Sequence, residues 1–211
     1  MDWFNIHTHK TLHTGDEIVS YDVSTLPAMG EQGYISIGIH PWFLTEDNAG
    51  MKLEALQKAI GTHQLIAIGE AGLDKLKGPS IELQIEIFKK VATLAEEHSL
   101  PLVIHCVKAF NELIRIKQEM RPQQPWIVHG FRGKAPLANE LIRHGFWLSF
   151  GATFQTEIAG ESIINQLFIE TDESETPIED IYQSVASNLQ LPLEELKEAI
   201  KMNVKKVFFK A

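Results

Sequence analysis

Six residues that can bind metal ions or transfer protons stand at the ends of short apolar runs. Each run is typical of a buried strand in a parallel sheet, and the parallel strands of a barrel end at one common rim. Imidazole and carboxylate groups gathered at such a rim can hold two divalent ions that activate water. The sequence therefore predicts a hydrolytic metal site formed by His7, His9, Glu70, His105, His129 and Asp172.

Spacing and neighbours support the first three of these residues. His7 and His9 are one residue apart, so in a strand both imidazoles point to the same side; the alternative is a pair of hydrogen-bonded core histidines. Glu70 follows apolar and small residues and lies near Gly69 and Gly72, which we expect to let backbone approach a ligand closely. A buried carboxylate is costly unless it is paired or metal-bound, and a glutamate can bridge two cations. Glu70 is also a candidate catalytic residue.

The remaining ligand candidates follow later strands. His105 and His129 each close an apolar run, although each could instead be a rim histidine bonded to a backbone carbonyl. Glu170 and Asp172 are two positions apart after another run. Only one face of this pair points in line with the earlier candidates, and we choose Asp172 as metal ligand and candidate general base. The alternative is that Asp172 caps the helix predicted near Pro177, which the intervening residues disfavour.

Three further polar residues lie in the same regions. His40 ends a strand before Pro41 and is predicted to contact substrate. Asp74 fits either a direct role or support of a metal ligand. Cys106 is the single cysteine, which excludes an internal disulfide, and we expect a small buried thiol rather than a nucleophile.

The elements that must position these residues are short apolar strands that alternate with segments of helical periodicity. Strands are predicted at 4–6, 34–39, 65–68, 101–104, 126–128, 146–150 and 167–169, and helices at 51–62, 79–98, 109–119, 136–144, 178–189 and 192–209. A candidate eighth strand at 17–23 alternates like a half-exposed strand. Only 24 residues separate His9 from Tyr34, which predicts an abbreviated first β-α unit. The pattern predicts one α/β domain over residues 1–211 with a TIM-type (β/α) barrel.

Charge and hydropathy limit the classes of partner. The net charge of −9 and the pI near 5.5 argue against a broad duplex-binding surface, but bound cations can supply local positive charge for a phosphodiester. No apolar run approaches the roughly 20 residues of a membrane span, and the first residues lack the pattern of a signal peptide. We expect a cytoplasmic protein with no membrane contact and no obligate protein partner.

These residues stand in motifs that resemble the TatD family of metal-dependent hydrolases, within the amidohydrolase-like barrels. Seven motifs carry the resemblance in family order: NIHTH at 5–9, GIHPW at 38–42, IGEAGLD at 68–74, LPLVIH at 100–105, HGFRG at 129–133, ETD at 170–172 and NVKKVF at 203–208. The resemblance implies a TIM-type barrel with divalent-metal-dependent deoxyribonuclease activity. It also implies that DNA or another phosphodiester is bound transiently.

The resemblance further divides the ligands between two ions per chain, for which Zn, Mn, Mg and Fe are candidates. It places the first ion among His7, His9, Glu70 and Asp172, and the second among Glu70, His105 and His129. Glu70 would then bridge the two ions, and Asp172 would orient or deprotonate the attacking water.

The chain departs from the family pattern at two positions of chemical interest. Asn5 replaces the usual aspartate, and Val107 stands where an arginine is frequent. Lys108 or Arg132 could supply a cation for substrate binding instead. Two alternatives therefore stay open, a metal-dependent hydrolase of a small ester, lactone or amide and a non-catalytic barrel that binds a ligand.

Overall fold

The computed structural model describes residues 3–10, 16–26, 33–155 and 163–209. The chain divides into two compact units, one formed by Met1–Val19 with Ile127–Ala211 and the other by Ser20–Trp126. The single domain over residues 1–211 stays a prediction.

Eight strands follow one another in chain order in one sheet. They are β1 (Asn5–Thr8), β2 (Glu17–Asp22), β3 (Tyr34–Gly38), β4 (Leu65–Asp74), β5 (Leu102–Val107), β6 (Trp126–Val128), β7 (Phe146–Phe150) and β8 (Leu167–Ile169). An isolated parallel bridge between Thr8 and Asp172 joins β1 to the residues after β8. Parallel strands in chain order with the first and last joined are the arrangement of the TIM-type barrel, so the predicted fold class is confirmed.

Six helices follow the strands from β3 onward: four connect successive strands between β3 and β7, and the last two both follow β8. They are α1 (Ala49–Thr62), α2 (Ile81–Glu97), α3 (Phe110–Met120), α4 (Ala135–Arg143), α5 (Ile178–Leu189) and α6 (Leu193–Phe208). All six predicted helices are confirmed. They could be predicted because apolar residues at intervals of three and four mark the face that each helix buries. In α2 that face carries Phe88, Val91 and Ala95, all buried. Within the described ranges, no helix combines the length and the apolar character needed to cross a bilayer.

Strand β2 differs from its prediction in burial. Glu17, Ile18, Val19 and Ser20 are all buried, so the expected half-exposed strand is wrong. The strand pairs in parallel with β1 and lies between β1 and β3 in the sheet, where both faces are covered. The described residues between β1 and β2 contain no helix, as expected for an abbreviated first unit; residues 11–15 lie outside the described ranges.

Strand β4 is longer than predicted and carries both acids of its motif. It continues from the apolar run through Glu70 to Asp74. A side chain at Gly69 would collide with the carbonyl oxygen of Val103, and one at Gly72 with that of His105. These glycines therefore allow β5 to approach β4, which corrects the expectation that they serve the approach of a ligand.

Candidate metal centre

One group of candidate ligands belongs to the unit that contains β1 and β8. Nε2 of His7 lies 3.7 Å from Oδ1 of Asp172, and Nε2 of His9 lies 3.5 Å from the same oxygen. One donor atom from each of the three residues falls within 4.8 Å of the others. His7 is fully buried, whereas the Asp172 side chain is 31% exposed and so borders solvent. Two imidazole nitrogens and a carboxylate oxygen suit Zn, Mn or Fe.

Backbone pairing sets the position of Asp172. Its N–H donates to the carbonyl oxygen of His7 at 2.9 Å, and the N–H of His9 donates to the carbonyl oxygen of Asp172 at 3.4 Å. Asp172 has φ 54°, a left-handed conformation that is uncommon outside glycine. The chain therefore turns at Asp172 while both its N–H and its carbonyl oxygen are bonded to the backbone of His7 and His9, and the carboxylate faces the two imidazoles.

A second group belongs to the other unit and centres on Glu70. Oε1 of Glu70 lies 3.0 Å from Nε2 of His40 and 2.8 Å from Nδ1 of His105. All three side chains are buried or nearly so. His40, predicted as a substrate contact, thus lies against Glu70 and joins the residues that could hold an ion. Its predicted contact with substrate stays a prediction.

The hydrogen bonds of His40 and His105 differ in how they constrain the proton of the imidazole. Nδ1 of His40 accepts from the backbone N–H of Trp42 at 3.1 Å, so a neutral His40 has its proton on Nε2 and donates to Glu70. Nε2 of His105 lies 3.0 Å from Oδ2 of Asp74 and Nδ1 lies 2.8 Å from Oε1 of Glu70, so a neutral His105 can carry its proton on either nitrogen. With the proton on Nε2, the lone pair of Nδ1 faces the Glu70 carboxylate, an arrangement that a cation bound between the two would stabilise. The Nδ1 lone pair of His40 already accepts the Trp42 N–H, so the proton of His40 stays on Nε2. His105 is therefore the better ligand of the two.

Asp74 lies behind His105. Its Oδ2 also accepts from Nε1 of Trp42 at 2.6 Å, and its Oδ1 accepts from the N–H of Leu76 at 2.7 Å. Burial would raise the pKa of this carboxyl, but the bonds from His105 and Trp42 more than offset burial and hold the pKa below its ordinary value. Of the two roles left open by the sequence, these contacts favour support of a ligand.

Glu170 is the functional candidate that the sequence analysis passed over. Its Oε1 lies 3.2 Å from Nδ1 of His129 and accepts the N–H of Gly130 at 2.7 Å, and the side chain is fully buried. Burial raises the pKa of Glu170, yet its interactions with His129, His7 and Ser149 together outweigh burial, so the pKa lies below its ordinary value. The signal in the sequence was the spacing, since residues two apart in an extended chain share a face and both acids could point inward.

His129 lies beside His7 as well as Glu170. The two imidazole ring centroids are 4.3 Å apart. A neutral His129 that donates from Nδ1 to Glu170 presents the lone pair of Nε2, the arrangement in which a carboxylate orients a metal-binding histidine. Glu170 therefore lies within hydrogen-bond distance of His129 and can orient its imidazole, as Asp74 can orient that of His105.

Asn5, the first departure from the family pattern, ties β1 to the acidic segment. Its Nδ2 donates to Oγ1 of Thr171 at 2.8 Å, and the N–H of Thr171 donates to Oδ1 of Asn5 at 3.1 Å. Thr171 stands between the two acids 170 and 172. The buried Asn5 amide thus fixes the backbone from which both carboxylates project.

The remaining predicted residues lie outside these two groups. Lys108 directly follows β5 and Arg132 lies four residues after β6; both are exposed, and their contact with substrate stays a prediction. Burial raises the pKa of Cys106 to about 12, so its thiol stays protonated at neutral pH, as expected for an inert cysteine.

The amino-acid sequence is similar to a known protein family and to several curated proteins. A family model described as TatD related DNase matches residues 20–209. The Bacillus subtilis protein YabD, named as an uncharacterized metal-dependent hydrolase, is 36% identical over 152 residues, which cover 66% of this chain and 58% of YabD. A protein of Erwinia tasmaniensis named 3'-5' ssDNA/RNA exonuclease TatD is 28% identical, and the match covers 64% of this chain and 56% of that protein.

Solved structures show the same fold. The TatD homologue YjjV of Escherichia coli K12 superposes with a TM-score of 0.78 at 22% identity, over 93% of this chain and 87% of that chain. A TatD family hydrolase from Entamoeba histolytica gives a TM-score of 0.76 at 16% identity, over 100% of this chain and 99% of that chain. The first curated relatives are matched over 58% and 60% of their own lengths. Since the family model runs from within β2 to the end of α6, the chain belongs to the family of TatD-related DNases.

Proposed function

We propose that this chain is a divalent-metal-dependent hydrolase that cleaves phosphodiester bonds of DNA. The observation that carries the proposal is the group formed by His7, His9 and Asp172, in which two imidazoles face one partly exposed carboxylate. Membership of the family and the exonuclease name of the Erwinia relative support a nucleic acid as substrate.

We further propose two ions per chain and keep the ligand set implied by the family resemblance. Divalent ions bound there supply positive charge for the phosphoryl oxygens and lower the pKa of a water molecule. Asp172, whose carboxylate lies at the solvent border, would be the group that accepts a proton from the attacking water. Asp74 and Glu170 orient the two later histidines so that their lone pairs face the ions. The proposed ligands are His7, His9, Glu70, His105, His129 and Asp172.

One observation favours the second candidate function, hydrolysis of a small ester, lactone or amide. The net charge of −9 opposes the attraction of a polyanion. The non-catalytic alternative has less support, because all six predicted ligands are present and none is replaced by an inert residue. The cytoplasmic location and the absence of an obligate protein partner remain predictions.

The test is cleavage of end-labelled single-stranded DNA by the metal-reconstituted protein, with Mg or Mn present and with a chelator as control. We expect a chelator-sensitive ladder of products that disappears in Asp172→Asn. The matched control is Asp180→Asn, which changes an exposed aspartate of α5 in the same way and should leave cleavage intact.

Two results would count against the proposal. Unchanged cleavage by Asp172→Asn removes Asp172 from the reaction. If the DNA stays intact after incubation with protein that is shown to contain metal, the small-molecule hydrolase becomes the favoured function. A panel of esters and lactones is then the next assay.

A further inference from the structure

Two aromatic side chains are exposed next to the Glu70 group. Trp42 and Phe43, here called the aromatic wall, are 40% and 56% exposed and lie in a short 3₁₀ turn, Pro41–Phe43, directly after His40. The other large apolar side chains that are exposed among the described residues are all aliphatic, namely Leu26, Met51, Leu76 and Met202. Exposed rings adjacent to a candidate active site indicate a surface that binds a flat or apolar group.

The aromatic wall lies within contact range of the two histidines that flank Glu70. The imidazole centroid of His40 is 4.9 Å from the ring of Trp42 and 5.5 Å from that of Phe43. Trp42 is also 5.5 Å from the imidazole of His105. Because His40 and His105 both contact Oε1 of Glu70, a substrate held at Glu70 would have Phe43 beside it.

A cation accompanies the wall. Nζ of Lys77 lies 3.5 Å from the ring centroid of Trp42, while Nε1 of Trp42 donates to Asp74. The indole is thus fixed at its edge, and one face carries an ammonium group that can meet a phosphate. Phe43, the more exposed ring, is the one that can receive a base.

We propose that Phe43 stacks against an unpaired base of a single-stranded nucleic acid and that Lys77 binds a neighbouring phosphate, which makes both of them specificity-determining residues. This inference rests on the proposed phosphodiesterase function. Aromatic stacking is tolerant of sequence because every base has a π-face, and it requires a base that has left the duplex stack. A small ester or lactone would gain little from a ring and a cation placed together in this way.

The experiment measures binding of fluorescein-labelled oligothymidylate by anisotropy, with the metal-reconstituted full chain and phosphorothioate linkages that slow cleavage. An oligonucleotide of equal length with abasic sites is the second ligand. We expect the base-bearing strand to bind roughly tenfold more tightly, as base stacking predicts. Phe43→Ala should abolish that preference, and Phe43→Trp should keep it.

Two further variants separate stacking from charge and from general loss of apolar surface. Lys77→Met should weaken binding of both oligonucleotides alike and lower the salt dependence by about one phosphate contact. Met51→Ala shortens an apolar side chain of α1 that is 65% exposed. It should leave the affinity for both oligonucleotides unchanged. Thermal melting of each variant shows whether it is folded.

Equal affinity of the wild-type chain for the two oligonucleotides overturns the inference, and so does a base preference that survives in folded Phe43→Ala. Chelator-sensitive cleavage without any base preference leaves the proposed function standing and removes this inference alone. A base preference that is lost in Phe43→Ala, in a protein that does not cleave DNA, supports the stacking surface and removes the proposed reaction.

Discussion

The backbone N–H of Asp172 donates to the carbonyl oxygen of His7 at 2.9 Å, while the Asp172 carboxylate lies 3.7 Å from Nε2 of the same histidine. The two residues are therefore joined twice, once by strand pairing and once by facing side chains. The pairing needs only backbone atoms. The separation between the backbones of His7 and Asp172 is therefore set by the fold and persists when either side chain is changed.

Asp172→Ala is expected to reduce metal binding while leaving the fold stable. The free energy of unfolding should fall by no more than about 1–2 kcal/mol, since alanine tolerates the left-handed conformation less well than aspartate while the backbone bonds remain. Metal content after dialysis and urea denaturation measure the two effects. A large loss of stability without loss of metal would show that the carboxylate holds the structure rather than an ion.

Glu170→Gln should weaken metal binding by about 10- to 100-fold, because the change removes the charge that orients His129. Glu179→Gln, at an exposed position in α5, is the matched control and should bind as the wild type does. Isothermal titration with Zn or Mn measures the difference. Equal affinities in the two variants would remove the supporting role of Glu170.

The lowered pKa of Glu170 also predicts how stability depends on pH. Because the folded-state pKa lies below the unfolded value, the stabilisation is complete above the unfolded carboxyl pKa and is lost as the pH falls through the folded one. Glu170→Gln should therefore flatten the acid limb of the unfolding curve relative to wild type. Parallel acid limbs would contradict the assigned direction.

Asn5→Ala should destabilise the chain by about 1–3 kcal/mol, since it leaves the N–H of buried Thr171 without its acceptor. Asn5→Asp keeps that acceptor, and the Thr171 hydroxyl can rotate to donate to it, so the loss should be smaller. Urea denaturation compares both with Asn139→Ala, at an exposed position in α4. The interpretation fails if the alanine and aspartate variants are equally stable.

A buried ion pair positions the backbone of His40. Nζ of Lys52 lies 2.7 Å from Oδ1 of Asp22, both side chains are 8% exposed, and Oδ2 of Asp22 accepts the N–H of His40 at 3.1 Å. Lys52→Met alone should cost about 3–5 kcal/mol because it leaves the Asp22 charge buried and unpaired.

The double variant Asp22→Asn with Lys52→Met should recover much of that loss, and urea denaturation of a double-mutant cycle measures it. Burial raises the pKa of Asp22, but the hydrogen bonds from Lys52, Ser24 and the backbone of His40 together outweigh burial and hold the pKa below its usual value. The pair therefore stabilises above the unfolded carboxyl pKa and fails as the pH falls through the folded one. Additive single-variant effects would show that the two charges are not coupled.

Burial lowers the pKa of Lys117 to about 8, against an ordinary value of 10.5. Between these values the unfolded chain holds a proton that the folded chain lacks, so this group makes stability rise with pH from about 8 to 10.5, by at most about 1.4 kcal/mol per pH unit. Lys117→Met should be more stable at pH 7 and should lose that rise. Urea denaturation at pH 7 and 9.5 measures it, and identical pH dependence in the two proteins would contradict the shift.

The sequence by itself determined the order of the elements and the positions of most candidate ligands. Strand and helix repeat apolar residues with different periods, and a polar residue that ends an apolar run marks the end of a buried strand. That is why all six helices, the strands and the fold class could be predicted, although Glu70 and His105 lie within β4 and β5 rather than at their ends.

Only the tertiary structure decided which side chains meet. Asn5 and Thr171 are 166 residues apart, and Asp22 and Lys52 are 30 apart, so no local pattern connects them. The contact of Glu170 with His129 and the burial of β2 likewise depend on neighbouring strands. Periodicity records which face of a segment is buried; the partners on that face are fixed only when the strands pair and bring distant carboxylates, amides and imidazoles within hydrogen-bond distance.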